Sequence, residues 1–196
     1  MRIKWIWIAV ACLIALLAVF NWVDIRLMRS QTAASSTVAA SHSPSGAVPD
    51  VAVTGLSVEG NQRLQRSLEA ELREFLTGLQ GVGDVKPAGS AEVGTDSARI
   101  AVRFLDSEFF WTPLYARSQV NVRVAYSSNG DTSFIDSETP HFTGVSGDRP
   151  TVRFVANYSQ DDFSWGLVSK PGYESYLAEQ IAARVKASVE EQIKNG

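Results

Sequence analysis

The chain reads as α+β, with an N-terminal transmembrane helix followed by a two-layer sandwich: a mainly antiparallel sheet of about four strands carrying two amphipathic helices on one face. Three observations predict this. Residues 5–23 form an uncharged apolar run, two later segments repeat apolar residues every three or four positions, and the segments between them alternate apolar with polar residues.

The run reads WIWIAVACLIALLAVFNWV, bounded by Lys4 and Asp24. As a helix it would extend about 29 Å, close to the roughly 30 Å hydrocarbon core of a bilayer. Trp5, Trp7 and Trp22 stand near its ends, where indole rings favour the headgroup region. A cleaved signal peptide fits less well, because its apolar region is normally about 7 to 15 residues and ends at a small-residue site. Here the run closes on Phe20, Asn21, Trp22 and Val23. Basic flanks tie, Arg2 and Lys4 against Arg26 and Arg29, so orientation rests on the very short basic tail, which resembles an uncleaved export signal. The body is then expected outside the inner (cell) membrane, attached through this single helix.

Residues 30–49, SQTAASSTVAASHSPSGAVP, are nearly all small or polar and carry no acid, lysine or arginine. Such composition offers little apolar surface to offset ordering entropy, so a flexible tether is expected. The organisation is therefore a basic tail at 1–4, a membrane helix at 5–23, a juxtamembrane segment and linker at 24–49, and an α+β domain at 50–196.

Within that domain, residues 51–56 suggest a short strand, followed by a helix over about 61–79. Leu64, Leu68, Leu72, Phe75, Leu76 and Leu79 form its apolar stripe. A second helix over about 172–194 follows Pro171, with Tyr173, Leu177, Ile181, Val185, Val189 and Ile193 spaced by four. Strands are expected where Ala98, Ile100, Val102 and Phe104 alternate with Arg99, Ala101 and Arg103. The same pattern sets Val120, Val122, Val124 and Tyr126 against Asn121, Arg123 and Ala125. Asn129-Gly130 predicts a hairpin returning along 132–142, and Val152, Phe154, Ala156 and Tyr158 predict a further strand.

Composition narrows the function classes. A formal charge of −3 and a pI near 5.4 give no basic excess to draw the whole chain to nucleic acid. The single cysteine, Cys12, lies in the apolar run, so the body has neither disulfide nor thiolate site. With only His42 and His141, a multi-histidine metal centre is excluded, and no cofactor motif occurs: no P-loop, no G-x-G-x-x-G and no calcium loop. Val58-Glu59-Gly60-Asn61 ahead of a helix resembles the opening of a polypeptide-transport-associated domain. The expected hairpin and long terminal helix depart from that pattern, and so short a match assigns no family.

The residues opposite the core along the strands include Arg99, Arg103, Arg123 and Arg153. They form a stripe able to grip phosphate, carboxylate or anionic glycan, or else to pair with Asp136 and Glu138. Aromatic clusters Phe109-Phe110-Trp111 and Phe163 with Trp165 are expected on loops, either as docking groups or as plugs for the core ends. Hydrolytic chemistry would need His141 or the carboxylate pairs Asp136 with Glu138 and Asp161 with Asp162, but no G-x-S-x-G elbow accompanies them. The expected function is thus a membrane-anchored, non-enzymatic binding or assembly module of the cell envelope. Its partner would be a protein or anionic envelope component meeting Arg99, Arg103, Arg123, Arg153, Trp111 and Trp165. A tethered hydrolase is the alternative, and a purely structural self-assembling protein a third reading.

Overall fold

The computed structural model describes residues 2–42, 53–59, 62–78, 86–87, 98–128, 132–137 and 152–195. In chain order these form α1 (Arg2–Val19), β1 (Arg26–His42), β2 (Val53–Glu59), α2 (Gln62–Gly78), β3 (Lys86–Pro87), β4 (Ala98–Thr112), β5 (Tyr115–Ser127), a short 3-10 helix (Ser133–Asp136), β6 (Val152–Val168) and α3 (Lys170–Asn195). The strands build one sheet in the order β1-β6-β5-β4-β2-β3. The run β1-β6-β5-β4 is antiparallel throughout, whereas β2 joins β4 and β3 in parallel.

The α+β class, the antiparallel run of four strands within the six-stranded sheet and the helical pair on one sheet face therefore agree with the sequence, although β1 stands where a strand over 132–142 was expected. Leu68 and Leu72 of α2 and Ala178, Ile181, Ala182, Val185 and Val189 of α3 share one core with Ile100, Val102, Val120, Val122, Val124, Tyr126, Phe154, Ala156 and Tyr158. Each large side chain so buried contributes roughly 1.5–3 kcal/mol. The helix stripes and the strand parity locate all of these except Ala178 and Ala182, which the every-fourth-residue stripe of α3 passes over.

Helix α1 ends sooner than the apolar run. The backbone N–H groups of Asn21 and Trp22 donate to Ala18 and Val19 carbonyls, each at 3.0 Å, closing a tight turn, and Asn21 Nδ2 donates to Leu17 O at 2.9 Å. The uncharged part of the helix spans residues 5–19, about 22 Å long at 1.5 Å per residue against a hydrocarbon core of roughly 30 Å. Among the described residues no helix is long and apolar enough to cross a membrane, so the expected transmembrane span and signal-anchor are not supported.

The expected tether is also corrected over much of its length. Residues 26–42 pair with β6 from Arg26↔Val168 to His42↔Val152. Small polar side chains build a poor core, but an edge strand needs mainly its backbone bonds, and most of the β1 side chains stay exposed. The rest of the tether lies outside the described residues. A third correction concerns the return strand expected over 132–142. Residues 133–136 are a 3-10 helix, and β5 finds its second neighbour in β6. Residues 129–131 and 138–142 lie outside the described residues.

The ends of the long strands are locked by backbone contacts. Gly166 N donates to Leu114 O and Val168 N to Pro113 O, both at 3.0 Å, tying β6 to the β4–β5 turn. Gly166 has φ +120°, and a Cβ there would lie 2.5 Å from Leu27 O on β1. Both demands favour glycine. Gly166→Ala should lower the unfolding free energy by about 1–3 kcal/mol in denaturant titration. A change within about 0.5 kcal/mol would show that β1 yields freely there.

Candidate interaction surface

Strand alternation gives the sheet one face beneath α2 and α3 and one face away from them. On the latter, Arg99 pairs across to Ser127 and Ser127 to Arg153, while Arg103, Arg123 and Asn157 form a second row. Thus four of the six sequence-derived residues do share one end of one face. Arg103 is in an ion pair with Asp136. Arg123 Nε donates to Asn157 Oδ1 at 2.8 Å, and its Nη1 donates to the carbonyls of Ile135 and Ser137 at 3.2 and 3.3 Å. The 3-10 helix is fixed over these two arginines, with Ile135 packed on Ala101, Ala125 and Val155. By contrast, the buried Nε atoms of Arg99 and Arg153 have no partner among the described residues.

The two tryptophans separate. Trp111 is half-buried on the helix side, packs beside Leu64, Tyr173 and Leu177, and donates from Nε1 to Val168 O at 3.1 Å. Trp165 lies on the open face, 38% exposed. It begins a chain of aromatic contacts: Trp165 to Phe163 at 5.5 Å, Phe163 edge-on to Tyr115 at 5.0 Å, and Tyr115 to Phe110 at 5.8 Å between ring centroids. These residues sit on strands, not on the loops expected. Trp111 leaves the surface, and Phe110, Tyr115, Phe163, Leu27 and Leu167 join Trp165 on it.

The acidic pair Asp161 and Asp162 is split by the same alternation. Asp161 is exposed on the open face, whereas Asp162 is buried under α3. Its Oδ1 accepts from Thr32 Oγ1 at 2.7 Å and Tyr176 OH at 3.4 Å, its Oδ2 from Ser164 Oγ and Tyr173 OH, both at 2.8 Å. Ser118 Oγ lies 3.1 Å from Tyr173 OH. Four hydroxyls thus satisfy a carboxylate that burial would otherwise penalise, and they tie β1, β6 and α3 together. Facing opposite ways, the two acids cannot serve one bond as acid and base. His141 and Glu138 lie outside the described residues. Among the described residues no cluster of histidine, cysteine and carboxylate side chains is placed to hold a metal.

A cleft of about 460 Å³ separates the turn after α1 from α2 and α3, lined by Trp22, Arg66, Pro171 and Glu174 among others. Compared with known proteins, the chain matches no family model and no curated sequence.

Burial pushes the Tyr126 phenol up to about 12, and also raises Tyr173, where the Asp162 carboxylate adds to the effect and the Ser118 bond opposes it. Folded values above the unfolded value of about 10 mean that the neutral phenols stabilise the fold fully below pH 10, and that this contribution is lost as pH rises towards 12. Stability should fall by about 1.4 kcal/mol per pH unit over that window from Tyr126 alone, with a shallower slope in Tyr126→Phe. A flat profile in equilibrium unfolding would mean that both phenols titrate freely in the folded state.

Proposed function

We propose that the chain is a membrane-associated, non-enzymatic binding or assembly module of the cell envelope, held at the inner membrane by α1 with its α+β body on the extracytoplasmic side. The observation that carries this reading is the surface of α1. Trp5, Ile6, Trp7, Ile8, Val10, Leu13, Ile14, Leu16, Leu17 and Val19 are each 40–70% exposed and lie all around the helix. A helix apolar on every side needs apolar surroundings, and among the described residues the chain supplies none beyond Phe20 at its end. Lipid meets that need, with α1 and the apolar turn after it embedded in the bilayer.

The partner site is assigned to the arginine end of the open sheet face. Arg103 and Arg123 are committed to the 3-10 helix, so Arg99 and Arg153 on either side of Ser127 are the groups that would receive a carboxylate or phosphate of an envelope component. No observation favours the hydrolase alternative, whose best-defined carboxylate pair faces two sides of the sheet.

Two experiments test the reading. The double variant Leu13→Lys/Leu16→Lys should lose co-flotation with liposomes, since each lysine puts a charge into the apolar surface that lipid would bury. Flotation equal to that of the parent chain would remove lipid as the occupant. Arg99→Ala/Arg153→Ala should be retained several-fold less on an anionic glycan or phosphate matrix, with Arg103→Ala little changed. Retention of the double variant equal to that of Arg103→Ala and of the parent chain would detach the arginine row from binding.

A further inference from the structure

The open sheet face changes character in rows. Nearest the end where α1 joins the body, Leu27 pairs with Leu167, and Leu114 projects from the adjoining turn; they are 73, 38 and 66% exposed. The next row is Arg29, Trp165, Tyr115 and Thr112, and the third is Gln31, Phe163, Arg117 and Phe110. The fourth holds Ala33, Asp161, Gln119 and Glu108, and beyond it come Ser159, Asn121 and Asp106. Large apolar groups therefore occupy the first three rows and carboxylates begin at the fourth. Along β6, Leu167 to Phe163 covers about 13 Å.

This patch stands beside the exit of α1 with little freedom between them. Residues 20–25 join α1 to β1, and they are fastened to the first turn of α3. Lys170 N donates to Phe20 O at 3.0 Å, Ser169 N to Ile25 O at 2.9 Å, and Ile25 N to Ser169 Oγ at 2.8 Å. Leu27 follows at the second position of β1.

We propose that the apolar end of the open sheet face is a second lipid contact, seated in the headgroup layer and outermost acyl region next to α1, so that the body lies on the bilayer. The claim rests on the membrane reading of α1 given above. Trp and Tyr are the residues that favour this zone, and their rings here form one continuous contact chain from Trp165 to Phe110. Exposed Arg29 and Arg117 lie among them, with stems long enough to lay along the aromatic surface and guanidinium groups suited to lipid phosphates. Asp161 and Glu108 mark the level at which the sheet leaves the interface, since carboxylates gain nothing from an anionic surface. A protein partner would not require this grading with distance from α1.

The test uses the full chain with Cys12→Ser, reconstituted in vesicles of phosphatidylcholine and phosphatidylglycerol. An environment-sensitive fluorophore is placed at Leu114→Cys, Phe163→Cys or Asp106→Cys. Nitroxide lipids labelled near the headgroup should quench the first two several-fold more than the third, and an aqueous quencher should show the reverse order. The order should be lost at Leu114→Cys when Phe110, Phe163 and Trp165 are replaced by serine, exposed positions whose change leaves the core intact. If the vesicles float with protein but all three probes answer equally to the aqueous quencher, the second contact is overturned while the α1 anchor stands. If no protein floats, both readings fall. If Leu114 and Phe163 are shielded from the aqueous quencher without lipid quenching, a protein surface, including a second copy of the chain, covers the patch and the proposal is overturned.

Discussion

Ser169 is the point on which the arrangement turns. It ends β6, caps α3 and receives the segment leaving α1. Its Oγ accepts from Gly172 N at 3.0 Å and from Ile25 N at 2.8 Å, while its carbonyl accepts from Tyr173 N at 3.0 Å. A serine at this position satisfies one of the orphan donors of a helix start, an effect of about 1 kcal/mol. Here one hydroxyl also holds a second chain segment. Gly172 is required by the same crowding, because a Cβ would fall 2.6 Å from Ile25 O and 2.7 Å from Asp24 Oδ1. The clamp converts what would be a loose joint between an apolar helix and a folded body into a fixed one.

That fixed joint explains why β1 exists. A segment of serine, threonine and alanine has little to gain by burial, and composition alone reads it as a tether. Once Arg26 is set opposite Val168, each further residue adds backbone bonds to an edge already presented by β6. Arg26 also bridges Asp24 and Glu179, and Thr32 and Ser30 reach Asp162 and Tyr176, so the strand is stitched to α3 by polar contacts. None of this is a hydrophobic signal, which is the signal that sequence periodicity carries. The helices, the strand faces around Ile100, Val122 and Phe154, and the shared core were legible because they depend on that signal.

The same limit accounts for the buried carboxylate. Asp161 and Asp162 read as one carboxylate pair, yet parity along β6 sends one outward and one beneath α3. Extending the alternation of Phe154, Ala156 and Tyr158 through Gln160, Asp162 and Ser164 would have placed those polar residues inside. It was their polarity that hid the pattern. The 3-10 helix replaced an expected strand for a related reason: Asn-Gly specifies a turn but not what the chain does after it. Ser133 to Asp136 is held instead by Ile135 in a small apolar cluster and by two arginines bonding to its end.

The division of the aromatic residues has a single local cause. Phe104 pairs with Val122 and Asp106 with Asn121, leaving Leu105 as an extra residue in β4. Before this bulge the odd-numbered residues Arg99, Ala101 and Arg103 face the open side; after it the even-numbered Asp106, Glu108 and Phe110 do. A one-residue shift exchanges the two faces of a strand. With an unbroken ladder, Phe109 and Trp111 would stand on the open face and Phe110 would point under the helices. The bulge instead sends Phe109 against Tyr173, at 5.3 Å between ring centroids, and Trp111 to the carbonyl of Val168. It also leaves Phe110 to complete the exposed row with Phe163. One inserted residue thus gives β4 arginines at one end of the open face and an aromatic ring at the other, while both halves keep an apolar side for the core. Alternation reads the first half of β4 correctly but stops at Phe104, where the register changes, so Phe109, Phe110 and Trp111 read as a loop cluster and Trp111 is misplaced on that account.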